Sequence, residues 1–82
     1  MATRDEMLRK LTARLGALLG EAVEPETELE RAGMDSMRFV DLFVFVEREF
    51  GIDLISSDLR REDLQTPAAL ADALARNPNA ES

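Results

Sequence analysis

The residues best suited to do chemistry lie in one short segment, Gly33-Met34-Asp35-Ser36-Met37. Asp35 is a residue type that commonly caps the start of an α-helix. Ser36 then occupies the first helical position, where unpaired backbone N–H groups and the helix dipole favour an attached phosphate. The segment therefore indicates a hydroxyl that accepts a phosphoryl group. The simpler interpretation is that Asp35 and Ser36 only cap a helix, and these few residues alone favour it.

The composition argues against most other chemistries. The 82-residue chain contains no cysteine, histidine, tryptophan or tyrosine. It therefore has no protein thiol, no imidazole base and few rings on which nucleic-acid bases could stack. No stretch has the ligand spacing of a calcium loop, and there is no glycine-rich phosphate loop. We expect no metal site and no catalytic residue, and therefore a protein that is not an enzyme. The alternative is a carboxylate-dependent hydrolase, which the number of acidic residues alone leaves open.

The charge predicts which partners the chain avoids. Ten basic residues stand against 17 acidic ones, for a net charge of -7, which repels nucleic acid and anionic lipid and favours basic proteins. The longest apolar stretch, Phe39 to Val46, is too short to cross a bilayer and is interrupted by Asp41. With no cysteine and no secretory signal at the N-terminus, we expect a cytoplasmic monomer that binds neither nucleic acid nor membrane.

Local signals predict a first helix followed by a long loop. Thr3 and Glu6 have the spacing of a capping box, so a helix begins directly after Thr3, and Gly20 is suited to end it. From residue 21 to residue 35 the helical period disappears, and Leu29 is the apolar residue expected to anchor this loop to the core. The helix repeats leucine at the spacing of one helical face, at Leu8, Leu11, Leu15, Leu18 and Leu19.

The second long helix, from Ser36 to Phe50, has too many apolar residues for one face. Placing residues at about 100° intervals separates them into two stripes. The stripe assigned to the core contains Phe39, Leu42, Phe43, Val46 and Phe50. The stripe on its flank contains Met37, Val40 and Val44. Phe45 falls among charged residues on the solvent side, and the sequence offers no explanation for it.

The rest of the chain predicts a short helix and a last long one. A short helix is expected around Leu59–Leu64, capped by Ser57 or Asp58, and Thr66-Pro67 opens the last helix. Residues 77–82 are expected to form a disordered tail. The apolar face of the last helix comprises Leu70, Ala71, Leu74 and Ala75. The predicted fold class is all-α, a bundle of three main helices plus a short third helix between the last two long ones.

This layout, together with the serine motif, resembles the acyl and peptidyl carrier protein family from Arg4 to about Arg76. Members have a four-helix bundle, a long first loop, and a Gly-x-Asp-Ser motif followed by Leu or Met at the start of the second helix. The stretch from Gly33 to Leu54 matches that pattern without a gap. The resemblance implies an acyl-carrier-protein-like bundle, with a carrier domain over residues 1–76.

The resemblance also implies a cofactor and a role. In the family, the serine that matches Ser36 receives 4'-phosphopantetheine from coenzyme A, delivered by a phosphopantetheinyl transferase. The arm ends in a thiol that holds an acyl or aminoacyl group as a thioester. The chain would be a discrete carrier, loaded by a ligase or acyltransferase and serving downstream enzymes of a bacterial polyketide, fatty-acid or nonribosomal-peptide type pathway.

Carrier-family partners generally present basic patches to the second long helix and the loop before it. We therefore expect acidic residues there to steer partners, although each of them would equally serve as a solvating charge. The candidates for steering are Glu30, Asp35, Asp41 and Glu47. The candidates for the apolar centre of the docking surface are Met37, Val40 and Val44.

Two features depart from the family pattern or leave it open. Arg38 follows the motif where many members carry an acidic or neutral residue, and it is expected to weaken attraction to a basic partner. The aspartate before Ser36 resembles acyl carriers, whereas the segment Leu64-Gln65-Thr66-Pro67 faintly resembles D-alanyl carriers, so the cargo stays open.

The alternative function is a non-covalent interaction module whose second long helix docks into a partner without any attached group.

Overall fold

A computed structural model describes residues 3–54 and 59–76 of the chain. Every regular element in these ranges is helical, so the predicted all-α bundle of three main helices plus a short one is confirmed, although the structure adds a one-turn helix that the sequence did not predict. No helix within the two described ranges is long and apolar enough to cross a membrane. The elements are α1 (Arg4–Leu19), α2 (Leu29–Ala32), α3 (Ser36–Phe50), a 3-10 helix (Arg61–Leu64) and α4 (Pro67–Arg76).

The predicted limits of α1 are confirmed by its caps. The Glu6 backbone N–H donates to the Thr3 hydroxyl, while the Thr3 backbone N–H donates to the Glu6 carboxylate and lowers the pKa of that carboxyl below its usual value. Gly20 ends the helix in the left-handed region, at φ 71°. The leucine face is confirmed in part, because only Leu11 and Leu15 are fully buried; the rest are half-buried, and Met7, which the leucine pattern omitted, joins the core.

The long loop after α1 is anchored as predicted at Leu29, whose side chain is 0% exposed. Two backbone hydrogen bonds fix this loop to the start of α4. The Leu29 N–H donates to the Gln65 carbonyl, and the Ala68 N–H donates to the Pro25 carbonyl, both at 2.9 Å. The loop therefore packs against α4 before the chain turns into α3, and α2 is the single helical turn that places Leu29 in the core.

The predicted core stripe of α3 is buried at its centre and half-buried at its edge. Leu42, Val46 and Phe50 belong to the core, whereas Phe39 and Phe43 are packed only partly against it, with their ring centroids 6.1 Å apart. A stripe of five residues is wider than the buried face of α3, so its outer members keep contact with solvent.

Phe45, which the sequence left unexplained, is half-buried beside α1. Its ring meets the Phe50 ring edge-on, with centroids 6.2 Å apart. The Arg14 guanidinium of α1 lies over the Phe45 ring, 5.5 Å from its centroid. A cation over an aromatic face is attractive, so a neighbouring helix makes this position suitable for an aromatic residue.

The predicted short third helix exists but is shorter than expected. It is the 3-10 helix Arg61–Leu64, one turn that begins two residues later than the predicted start. The Arg60 backbone N–H donates to the Asp63 carboxylate at 3.1 Å, and this hydrogen bond caps the start of the turn. The predicted caps, Ser57 and Asp58, lie outside the described residues.

The start of α4 is confirmed and its apolar face is corrected at one position. Thr66 caps the helix by accepting the Ala69 backbone N–H at 3.1 Å. The prediction for Ala75 is wrong, because Ala75 is exposed and Ala73 is buried. The buried face is centred on Leu70 and Leu74, and at about 100° per residue Ala75 falls beyond its edge. The predicted tail over residues 77–82 lies outside the described residues.

The anchor at Leu29 yields a stability test. We expect Leu29→Ala to lower the free energy of unfolding by about 2–5 kcal/mol, because truncation leaves a cavity where the loop meets the core. Urea unfolding followed by circular dichroism measures the change. Met37→Ala is the control, since it removes a side chain of similar size from an exposed position and should change stability by no more than about 0.5 kcal/mol. Equal losses in the two variants would contradict the anchoring role.

Candidate functional site

Ser36 is the first residue of α3 and its side chain is exposed. Asp35 caps the helix as predicted, because its carboxylate accepts the Arg38 backbone N–H at 2.9 Å. The backbone N–H groups of Ser36 and Met37 make no hydrogen bond with any residue that the structure describes. The start of α3 therefore presents a free hydroxyl beside two N–H donors.

The glycine and methionine before Asp35 turn the chain into α3. Gly33 has φ 111°, in the left-handed region that favours glycine, and it ends α2. Met34 is buried, and its backbone N–H donates to the Leu29 carbonyl at 3.0 Å. The motif thus has a local structural meaning: one residue makes the turn, the next anchors it, and Asp35 and Ser36 emerge at the surface.

Arg38 has a role that the sequence did not reveal. Its Nη1 donates to the Asp35 carboxylate at 2.9 Å and to the Gly33 carbonyl at 3.3 Å, and its Nε donates to the Leu18 carbonyl at 3.4 Å. The side chain therefore turns back toward the start of α3 and joins it to the end of α1. The spacing of Asp35 and Arg38, an acid and a base three residues apart, is the signal that could have indicated this pair.

The predicted apolar docking stripe is exposed. Met37 is 81% exposed, Val40 58% and Val44 44%, and they are the large hydrophobic residues with exposed side chains among those described. At about 100° per residue all three lie within roughly a quarter turn of Ser36 on the α3 surface. Their exposure is confirmed, whereas their role in docking stays a prediction.

The four candidate steering acids differ in how far their charge is neutralised. Asp35 is paired with Arg38, as described above. Asp41 is half-buried and accepts two hydrogen bonds from Arg14 of α1, from Nε at 3.1 Å and from Nη2 at 2.5 Å. Glu30 and Glu47 are exposed and form no ion pair with a described residue. Their charges are the ones free to act on an approaching partner.

The structure brings some of the candidates together in one groove and places Glu30 in another. Asp35, Met37 and Asp41 line one open groove of about 310 Å³ at the start of α3, together with Leu18 and Arg38. Glu30 lines a different groove of about 410 Å³, between α2 and the start of α4. Glu30 therefore belongs to a second acidic surface rather than to the surroundings of Ser36.

The surroundings of Ser36 can hold an anion but contain no catalytic arrangement. Within residues 3–54 and 59–76, no three carboxylates are grouped so that they could bind a metal ion. Ser36 has neither a histidine nor a lysine beside it in sequence to act as a base. Beside the hydroxyl lie the two unpaired N–H groups of the helix start, and such donors fit a phosphate ester attached at Ser36.

Comparison with known proteins gives one match. A family model described as a phosphopantetheine attachment site matches residues 9–74, which include Ser36 and extend from α1 into α4. Neither the comparison with curated proteins nor that with solved structures returned a match.

The cap of α3 yields a second test. We expect Asp35→Ala to lower the free energy of unfolding by about 1 kcal/mol, because the Arg38 N–H loses its acceptor. The matched control is Glu47→Ala, which removes the same charge from an unpaired position of α3 and should have a smaller effect. Thermal and urea unfolding measure both variants. If the two losses were equal, the carboxylate of Asp35 would not act as a cap.

Proposed function

Because the chain belongs to the phosphopantetheine attachment-site family and so carries covalently attached 4'-phosphopantetheine, we propose that Ser36 is the attachment point and that the protein is a discrete carrier of thioester-bound intermediates. The observation that supports this proposal is the exposed Ser36 hydroxyl in the first turn of α3, beside N–H groups that no described residue satisfies. Such a helix start suits a phosphate ester.

The attachment needs only a hydroxyl from this chain. The Ser36 hydroxyl gives up its proton, and its oxygen bonds to the phosphorus next to pantetheine in coenzyme A. The bond from that phosphorus to the bridging oxygen of the diphosphate breaks, and adenosine 3',5'-bisphosphate leaves. The transferase supplies the base, since the chain places none beside Ser36. The attached arm supplies a thiol that forms thioesters, and the chain itself has no cysteine.

The exposed stripe on α3 supports a docking role beside the attachment point. Met37, Val40 and Val44 form an apolar surface on the Ser36 side of the helix, and methionine adapts to several partners because its side chain is flexible. Glu47 adds unpaired negative charge on the same helix, Glu30 adds it on the second acidic surface, and both would attract partners with basic patches. The paired acids, Asp35 and Asp41, would contribute less.

The proposed role as a carrier implies which enzymes the protein meets. Carrier domains generally meet a phosphopantetheinyl transferase and biosynthetic enzymes. We propose a loading ligase or acyltransferase and downstream enzymes of a bacterial polyketide, fatty-acid or nonribosomal-peptide type pathway, in the cytoplasm. Catalysis would lie with these enzymes, and residues 1–76 would act as one monomeric carrier domain.

Intact-mass spectrometry tests the attachment point. Incubation with coenzyme A, magnesium and a promiscuous phosphopantetheinyl transferase should add one phosphopantetheinyl group to the wild-type chain. Ser36→Ala should add none, while Thr12→Ala, which removes a hydroxyl within α1, should be modified like the wild type. An unchanged wild-type mass, under conditions that modify a control carrier, would instead favour the non-covalent interaction module.

Transferase kinetics test the docking stripe. We expect Met37→Glu to raise the KM for the carrier by at least about tenfold, because a charge replaces an apolar contact at the centre of the surface. Ala17→Glu introduces the same charge at an exposed position of α1 and serves as the control. The melting temperatures of both variants should stay near that of the wild type. The docking role is wrong if both substitutions change KM equally.

A further inference from the structure

Attachment at Ser36 creates an electrostatic conflict at the start of α3. A phosphodiester carries a negative charge, and the residue directly before Ser36 is Asp35, whose carboxylate is half-exposed and caps the helix. Two like charges on adjacent residues repel each other, and a phosphate beside a carboxylate is destabilising for that reason. The modified protein therefore needs a cation at this position more than the unmodified protein does.

Arg38 is the cation that contacts Asp35, the residue directly before Ser36. Its guanidinium is turned toward the first turn of α3, where Nη1 contacts the Asp35 carboxylate. A guanidinium has five N–H donors, and the contacts with described residues use only Nε and Nη1, so the two donors on Nη2 stay available. The side chain is 43% exposed and faces the open groove of about 310 Å³ beside Met37. A charged group outside the helix can therefore reach it.

Other cations of the described chain are less suited to this role. Arg14 is occupied by Asp41, and Arg31 by Glu28. Arg48 forms no ion pair with a described residue, but it lies near the other end of α3, roughly 18 Å from Ser36 by helix rise. Arg38 therefore combines a position at the start of α3 with unused donors.

We propose that Arg38 is the counter-ion of the phosphodiester formed at Ser36. It neutralises Asp35 in the unmodified chain, and in the modified chain it shares its guanidinium between the carboxylate and the phosphate. This inference rests on the proposed attachment at Ser36. It adds a role to the expectation drawn from the sequence, in which Arg38 is a charge that weakens attraction to basic partners.

The test compares the stability of the unmodified and modified forms in three chains: wild type, Arg38→Gln and Arg48→Gln. Arg48→Gln is the matched control, because it removes an exposed arginine from the same helix. Each chain is modified with transferase and coenzyme A, its mass is verified, and the melting temperature of both forms is measured at low salt and at 1 M salt. The difference between the two forms removes any effect that Arg38 has on the fold itself.

At low salt, modification should lower the melting temperature of Arg38→Gln by on the order of 2–4 °C more than that of the wild type. Arg48→Gln should behave like the wild type, and high salt should remove the difference because it screens the repulsion. Arg38→Lys should recover most of the loss, since it keeps the charge. Equal shifts in Arg38→Gln and Arg48→Gln would overturn the inference.

A measurement on the wild-type chain covers the case in which Arg38→Gln does not fold. The side-chain Nε–H resonance of Arg38 should change on modification more than that of Arg48, and an unchanged Arg38 resonance would overturn the inference. Mass spectrometry separates the two proposals. A wild-type chain that gains no mass at Ser36 overturns both, whereas a mass gain with equal thermal shifts overturns only the role of Arg38.

Discussion

The hydrogen bond from the Arg38 backbone N–H to the Asp35 carboxylate fixes where α3 begins. Because it sets the first helical residue, it also sets the phase of every side chain that follows. Ser36 then lies in the first turn with its hydroxyl exposed, and Leu42, Val46 and Phe50 point into the core. A start one residue later would move Ser36 out of the helix and change which side chains of α3 face the core.

The two apolar faces of α3 explain how a small bundle can be both stable and available to partners. One face is buried, and its burial provides much of the driving force for packing the helix. The other face leaves Met37, Val40 and Val44 in solvent, where an apolar stripe has no stabilising role in the isolated chain. Exposed apolar patches of this kind mark interaction sites in soluble domains. The same helix therefore supplies core packing and, in the proposed function, recognition.

Among the described residues, some charged residues form ion pairs between helices, and others are left unpaired. Basic residues of α1 pair with acids of other helices, since Arg4 contacts Asp72, Lys10 contacts Glu49 and Arg14 contacts Asp41. Each pair is partly exposed and worth little alone, but together they neutralise three of the four basic residues of α1. The negative charge that remains lies mainly in the loop between α1 and α3. This distribution suits an approach by basic partners toward the loop and Ser36.

The sequence by itself determined the three main helices and the candidate attachment point, because these depend on contacts between residues close in the chain. The Thr3 and Glu6 capping box, the Asp35 cap and the Thr66-Pro67 start each involve only neighbouring residues, and each was predictable. Leu29 was predicted to be buried because it is the apolar anchor of a loop without helical period, and the apolar period of α3 predicted that Met37 lies outside the core stripe. The serine motif and its resemblance to the carrier family supplied the cofactor.

Only the tertiary structure decided the positions whose partners lie far away in the chain or around a turn. Phe45 was unexplained until α1 placed Arg14 over its ring, and Asp41 was a free steering acid until the same arginine paired with it. Arg38 could not be assigned from its helical position, because its side chain turns back to meet the Leu18 and Gly33 carbonyls. The physical reason is common to all three: the energy of a charge or a ring depends on what lies within a few ångströms of it, and that is set by the packing of helices rather than by the local sequence.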